Sequence, residues 1–209
     1  MPQTQFSLFS FRRLLALALL VATIAFVISK NQPRTEADLI EFPQPKILSA
    51  FQLKTGKNGK AAFSQINFHQ HWTLLFFGFT HCSEICPTTL AVLAQAYQTL
   101  QSDYPNLQVV FISLDSAHDS PKGTQAYASS FNKNFIGASG KPEQVRILQQ
   151  QLGVFIENKP NPSTHKLNHS SAIYIINPQG QWQALLPSGL TATQVQSNLQ
   201  LLIDQSTHV

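Results

Sequence analysis

Residues 72–90, "WTLLFFGFTHCSEICPTTL", decide how this chain is read. The stretch opens on an uninterrupted apolar run at 72–79. It then turns polar and places both of the chain's cysteines, Cys82 and Cys86, just beyond. A strand with one wet face alternates apolar and polar side chains. A continuous apolar run bounded by a polar loop therefore reads as a strand covered on both faces. Past Pro87 the period changes. Leu90, Leu93, Ala94, Tyr97 and Leu100 recur at helical spacing, which predicts a helix from about Pro87 to Gln101 with one apolar face. Cys82 and Cys86 continue that stripe beyond the helix N-terminus.

Working outward, "LQVVFISLD" at 107–115 reads as a second buried strand and 121–131 as a helix opening on Pro121. "NFIGASG", 134–140, reads as a short strand and turn. A helix follows from Pro142, with Val145, Leu148 and Leu152 inward and Gly153 at its end. Upstream, "SAFQLKTGKNGKAAF" at 49–63 reads as a hairpin about Asn58-Gly59. Downstream, "SAIYIINPQGQWQALL" at 171–186 reads as strand, turn at 177–180, and strand. The polar stretch 157–170 between these reads as a long loop. A last helix starts at Thr191, where Gln194 completes a capping box and Val195, Leu199, Leu202 and Ile203 face inward. A βαβ order followed by a hairpin and a helix predicts an α/β fold, a mixed sheet with helices on both faces.

The N-terminus has a different character. Residues 14–28, "LLALALLVATIAFVI", carry no charge and are flanked by Arg12, Arg13 and Lys30. The run reads as an uncleaved membrane anchor, with a cleaved signal-peptide core as the competing reading. No small-x-small cleavage pattern follows it in "FVISKNQP". The paired arginines predict a cytoplasmic N-terminus at 1–13 and a single pass at 14–28. The body then lies in the periplasm, or an equivalent space, of a bacterial-type inner membrane. Residues 29–45, with three prolines, read as a tether to a domain over 46–209. The chain has 209 residues, a net charge of +4 and only 11% charged residues. Setting aside the three basic residues around the apolar run leaves 11 of 14 basic residues against 10 acidic ones. A body so nearly neutral gives no case for nucleic-acid binding.

Exported chains often carry disulfide staples. Cysteines four apart close too small a loop to restrain the unfolded chain usefully. A thiol at the start of a helix meets free N–H groups and partial positive charge, which stabilise its thiolate. If both thiols sat on one helix face, their Cα atoms would lie roughly 6 Å apart, close enough for a disulfide or one shared metal. Two thiolates suit a soft ion such as Cu(I) better than Cu(II), and a third ligand would complete a trigonal site.

"GFTHCSEICPTTL" resembles the strand-to-helix signature of the Sco/SenC family of copper chaperones for cytochrome c oxidase assembly. "FISLDSAHDS" resembles that family's second strand and acidic loop, and "NHSSAIYIINPQGQW" its histidine-bearing segment. The resemblance runs in order over roughly 40–205. It implies a thioredoxin-like fold, with Cys82, Cys86 and His169 as copper ligands. It also implies partners: the copper-bearing subunit of cytochrome c oxidase, other copper chaperones and thiol reductants. The chain departs from the family pattern at Ser83, Ser116, His118 and Asn168. Met1 is the only methionine, so no thioether of the body can bind copper and imidazole is the natural third ligand. His69 and His71 read as loop residues, His81 as locally hydrogen-bonded, His118 as part of the acidic loop and His208 as terminal. Only the resemblance separates His169 from His165.

A thiol–disulfide oxidoreductase would use the same fold, with Cys82 and Cys86 as its catalytic pair. Its usual motif has two intervening residues rather than three. A peroxiredoxin-like reading of "ICPTT" lacks the expected proline at Phe79, and Arg146 is the only arginine past the tether.

Overall fold

The computed structural model describes residues 39–56, 58–155 and 171–206, together with Thr23. The expected anchor at 14–28 (save Thr23) and the whole of the expected loop at 157–170, His169 included, lie outside the described residues. No helix among the described residues is long and apolar enough to cross a membrane.

The buried run is the central strand β4, Trp72–Gly78, and all seven of its residues are buried. β5, Leu107–Ser113, runs parallel to it from Trp72 opposite Leu107 to Gly78 opposite Ser113. Helix α1, Ile85–Leu100, crosses between them. β7, Ile173–Ile176, pairs antiparallel on the other side of β4, and β8, Gln181–Leu186, pairs antiparallel with β7. Short β6, Ile136–Ala138, extends the sheet beyond β5. With β1, Ile40–Ile47, the sheet has six strands in the order β1-β8-β7-β4-β5-β6. The remaining helices are α2, Pro121–Phe131, α3, Pro142–Gln151, and α4, Ala192–Ser206. A separate hairpin joins β2, Leu53–Thr55, to β3, Ala61–Phe63.

The period-two alternation of a strand divides β4 between two cores. Leu74 and Phe76 join Leu90, Leu93, Val195 and Leu199 under α1 and α4. Leu75 and Phe77 join Phe63, Phe68, Val145 and Leu148 on the opposite face, under the hairpin and α3. Burying each such side chain stabilises the fold by about 1.5–3 kcal/mol, which is why a run with no polar face can only sit at the centre.

The expected turns and caps are present. Gly59 N–H donates to Gly56 O at 2.8 Å in the hairpin, and Gly180 N–H to Asn177 O at 2.8 Å between β7 and β8. Thr191 N–H donates to Gln194 Oε1 at 2.9 Å, and Gln194 N–H returns a bond to Thr191 Oγ1 at 3.3 Å. Gly153 ends α3 with φ +64°, a left-handed conformation that favours glycine.

The tether expected over 29–45 is corrected at its end, because Ile40–Ile47 form edge strand β1. Its prolines misled because proline cannot donate to a sheet ladder. β1 pairs with β8 only at Ile40, Glu41, Lys46 and Ile47, and the irregular stretch between them spans both prolines. Aromatic packing fixes the strand. Phe42 stands edge-on to Trp182 at 4.6 Å, and the Lys46 ammonium lies 4.4 Å from the Phe42 ring and 4.7 Å from Trp182.

Candidate functional site: a dithiol at the start of α1

Cys82 and Cys86 come together where β4 ends and α1 begins. Their arrangement differs from two residues on one helix face. The helix starts at Ile85, so Cys86 sits in its first turn while Cys82 lies in the loop before it. Glu84, the N-cap residue, supplies no side-chain cap. The Cys82 sulfur takes that place, accepting from the backbone N–H of Cys86 at 3.4 Å. The first N–H groups of a helix need outside acceptors, and here the Cys82 sulfur is one of them.

Neither cysteine is in a disulfide, yet the two thiols differ. Partial burial alone would push the Cys82 thiol up. The bonds it accepts from the Cys86 backbone and thiol, and from the Glu84 and Ile85 amides, outweigh this and hold it below the ordinary thiol range. Cys86 is fully buried. Burial, and then its bond to the Cys82 sulfur, push its thiol far up. Its sulfur packs on Gly78 of β4, where an added Cβ would stand 2.7 Å from Sγ and 2.8 Å from the Phe111 ring. Only glycine leaves that space.

This asymmetry predicts selective alkylation of the reduced protein. A thiolate is the reacting form, so the Cys82 rate should rise with pH to a midpoint below that of an ordinary thiol. Cys86 should stay unlabelled until far more alkaline pH. Peptide mapping after timed iodoacetamide exposure reads both rates; equal labelling of the two thiols would contradict the asymmetry.

The loop carrying Cys82 is held from a distance. Asp119, buried at the start of α2, accepts from Thr80 N–H at 2.8 Å, from the Thr80 hydroxyl, and from Ser113 Oγ–H at 2.6 Å. Thr80 is two residues before Cys82. The sequence left the role of Asp119 and Asp115 open and did not single out Thr80, Ser113 or Gly78; the polar "FT…LDSAHD" loops after the two central strands were the available signal. Asp115 takes a local part, with its carboxylate on His118 Nδ1 at 2.8 Å and its carbonyl accepting from the amides of His118 and Asp119.

The Tyr127 hydroxyl is buried without a hydrogen-bond partner among the described residues. Burial first, then the negative charge of Cys86, Cys82 and Asp119, pushes its phenol up to about 12. It stays a neutral O–H donor near the thiols at any physiological pH.

The described histidines do not join the thiols as a ligand set. His81 Nδ1 lies 3.2 Å from Thr80 Oγ1 and 3.7 Å from Asp119 Oδ1, as its local reading expected. His71 bonds the His69 carbonyl, and His118 bonds Asp115. Among the described residues, no three His, Cys, Asp or Glu side chains gather as a metal site. His165 and His169 lie outside the described residues.

Fold and site together define a class: a thioredoxin-like domain whose dithiol opens the helix after the central strand. Within that class the SCO1/SenC family model matches residues 41–204, and the chain belongs to that family. It is similar to apo Sco1 of Thermus thermophilus in solution, with 30% identity and a TM-score of 0.69 over 79% of this chain and 96% of that one. It is similar to Arabidopsis thaliana ScoI with copper bound, with 27% identity and a TM-score of 0.69 over 76% and 99% of the two chains. The mitochondrial SCO2 homologue of Homo sapiens is 30% identical over 137 residues, 64% of this chain and 52% of its own length. The chain thus spans about half the length of that mitochondrial relative.

Proposed function

We propose that this chain is a membrane-anchored copper chaperone. It holds one copper ion, as Cu(I), on Cys82, Cys86 and His169. It hands that ion to cytochrome c oxidase during assembly of the respiratory complex, at the dinuclear centre of the copper-bearing subunit. The observation that carries the reading is two thiols, neither in a disulfide, sharing hydrogen bonds at a helix N-terminus, in a family with a relative solved with copper bound. Two soft sulfur donors suit Cu(I), and loading releases the thiol protons. Residues 14–28 anchor the chain in a bacterial-type inner membrane, with Arg12 and Arg13 on the cytoplasmic side and the body in the periplasm.

The unequal thiols favour a second reading, a thiol–disulfide reductase acting on the partner's copper-site cysteines. The Cys82 thiolate would attack the partner disulfide and release one partner thiol. Cys86 would then give up its proton and displace the second, leaving a Cys82–Cys86 disulfide and a reduced partner. Anaerobic titration of the full chain with Cu(I) tests the first reading. One copper is expected per reduced chain and none per oxidised chain, followed by transfer to a copper-site fragment of an oxidase. Turnover of a model protein disulfide without copper transfer would favour the reductase.

A further inference from the structure

The β2–β3 hairpin has two unlike faces. Leu53 and Phe63 are buried in the core. Lys54 pairs with Ala62 in register, so these two share the other face with Gln52 and Lys60, and all four are exposed. This face opens into a cleft of about 860 Å³ whose walls are the starts of α2, at Ser120 and Pro121, and of α3, at Lys141 and Pro142.

The cleft is positive, although the body as a whole is nearly neutral. Lys54, Lys60 and Lys141 line it. None of the three forms an ion pair among the described residues. Among the described residues its one lining carboxylate, Asp119, is buried and engaged by Thr80 and Ser113. Two helix N-termini add partial positive charge. α2 has no acid in its first turn; α3 has Lys141 at its N-cap with no side-chain acceptor, and Glu143 in its first turn offsets part of that helix's positive charge. A lysine where helices favour Ser or Asp is locally unfavourable. The Ser116 hydroxyl, also in the lining, is buried without a partner among the described residues.

We propose that this cleft receives an acidic, extended peptide segment of a partner protein. Carboxylates would answer the three ammonium groups and the α3 N-terminus, while Ala62, Pro121 and Pro142 would receive the apolar parts of the segment. The cleft is far larger than a single inorganic anion requires, and its concavity suits a chain better than a flat layer of headgroups. A segment seated there lies beside Asp119, whose carboxylate holds the loop of Cys82. Binding of the segment stands apart from what the thiols carry.

The test uses the full reduced chain in neutral detergent and fluorescence anisotropy of a short labelled peptide rich in Asp, Glu and Leu. A twin peptide with Asn and Gln in place of the acids is the control. The acidic peptide should bind, the twin should not, and raising salt should weaken binding. Lys54→Glu, Lys60→Glu and Lys141→Glu together should weaken it on the order of 10-fold or more. The triple Lys→Gln variant should show a smaller loss, and Lys133→Glu none. Copper stoichiometry should be unchanged in all of them, which separates this result from failure of the metal reading. Equal binding of the neutral twin, or undiminished binding by both triple variants, would overturn the proposal. So would loss of copper with the lysines, or tighter binding of phosphatidylglycerol vesicles than of peptide through the same three residues.

Discussion

Cys82→Ser and Cys86→Ser are each expected to abolish tight Cu(I) binding by the reduced chain while leaving the fold intact. A serine hydroxyl is a hard, protonated donor at neutral pH and cannot replace a thiolate on a soft ion. Groups that merely orient a metal ligand are worth about 10–100-fold in affinity, so loss of a ligand should exceed that range. The two variants should differ otherwise. Ser at 82 can still accept from the Cys86 amide and keep the start of α1 capped. Ser at 86 places a hydroxyl in the tight, buried space against Gly78 and Phe111 and should cost some stability as well. His169→Ala should weaken copper without destabilising the chain. Competition titration against a Cu(I) chelator, with thermal melts alongside, measures both quantities. Retention of one tight copper by either cysteine variant would remove the site assignment.

Asp119→Ala should destabilise the fold by about 2–4 kcal/mol. The buried carboxylate accepts from Thr80 N–H, the Thr80 hydroxyl and Ser113. Each donor left unpaired away from water costs about 1–3 kcal/mol, and the two hydroxyls can partly recover by rotating. The Thr80 amide cannot. Asp119→Asn keeps the shape and one acceptor oxygen, so a smaller loss is expected. Because Thr80 fixes the approach to Cys82, Asp119→Ala should also lower Cu(I) affinity by about 10–100-fold, as removal of a ligand-orienting group does. Urea unfolding and the same chelator competition test the pair of effects. A stability loss with unchanged copper affinity would reduce Asp119 to a structural residue.

Much of this was legible in the sequence because it is local. A seven-residue apolar strand, a helix stripe at 90, 93, 97 and 100, an Asn-Gly turn and a Thr191–Gln194 capping box each depend on neighbours within a few positions. β1 was not legible. Its prolines carry the signature of a tether, and the ring contacts of Phe42 with Trp182 that hold the strand join residues far apart in the chain.

The dithiol divides the same way. The sequence by itself determined that both cysteines follow a doubly buried strand and open a helix, since hydrophobic periodicity alone dictates those elements. Only the tertiary structure decided that Cys82 leaves the helix and caps it, that Cys86 is buried against Gly78, and that Asp119 holds the loop. The reason lies in the parallel register of β4 and β5. Gly78 pairs with Ser113, so the two loops that follow emerge side by side, and Thr80 meets a carboxylate 39 residues away. Periodicity encodes which face of an element is buried; it does not encode which distant loop will supply a hydrogen bond.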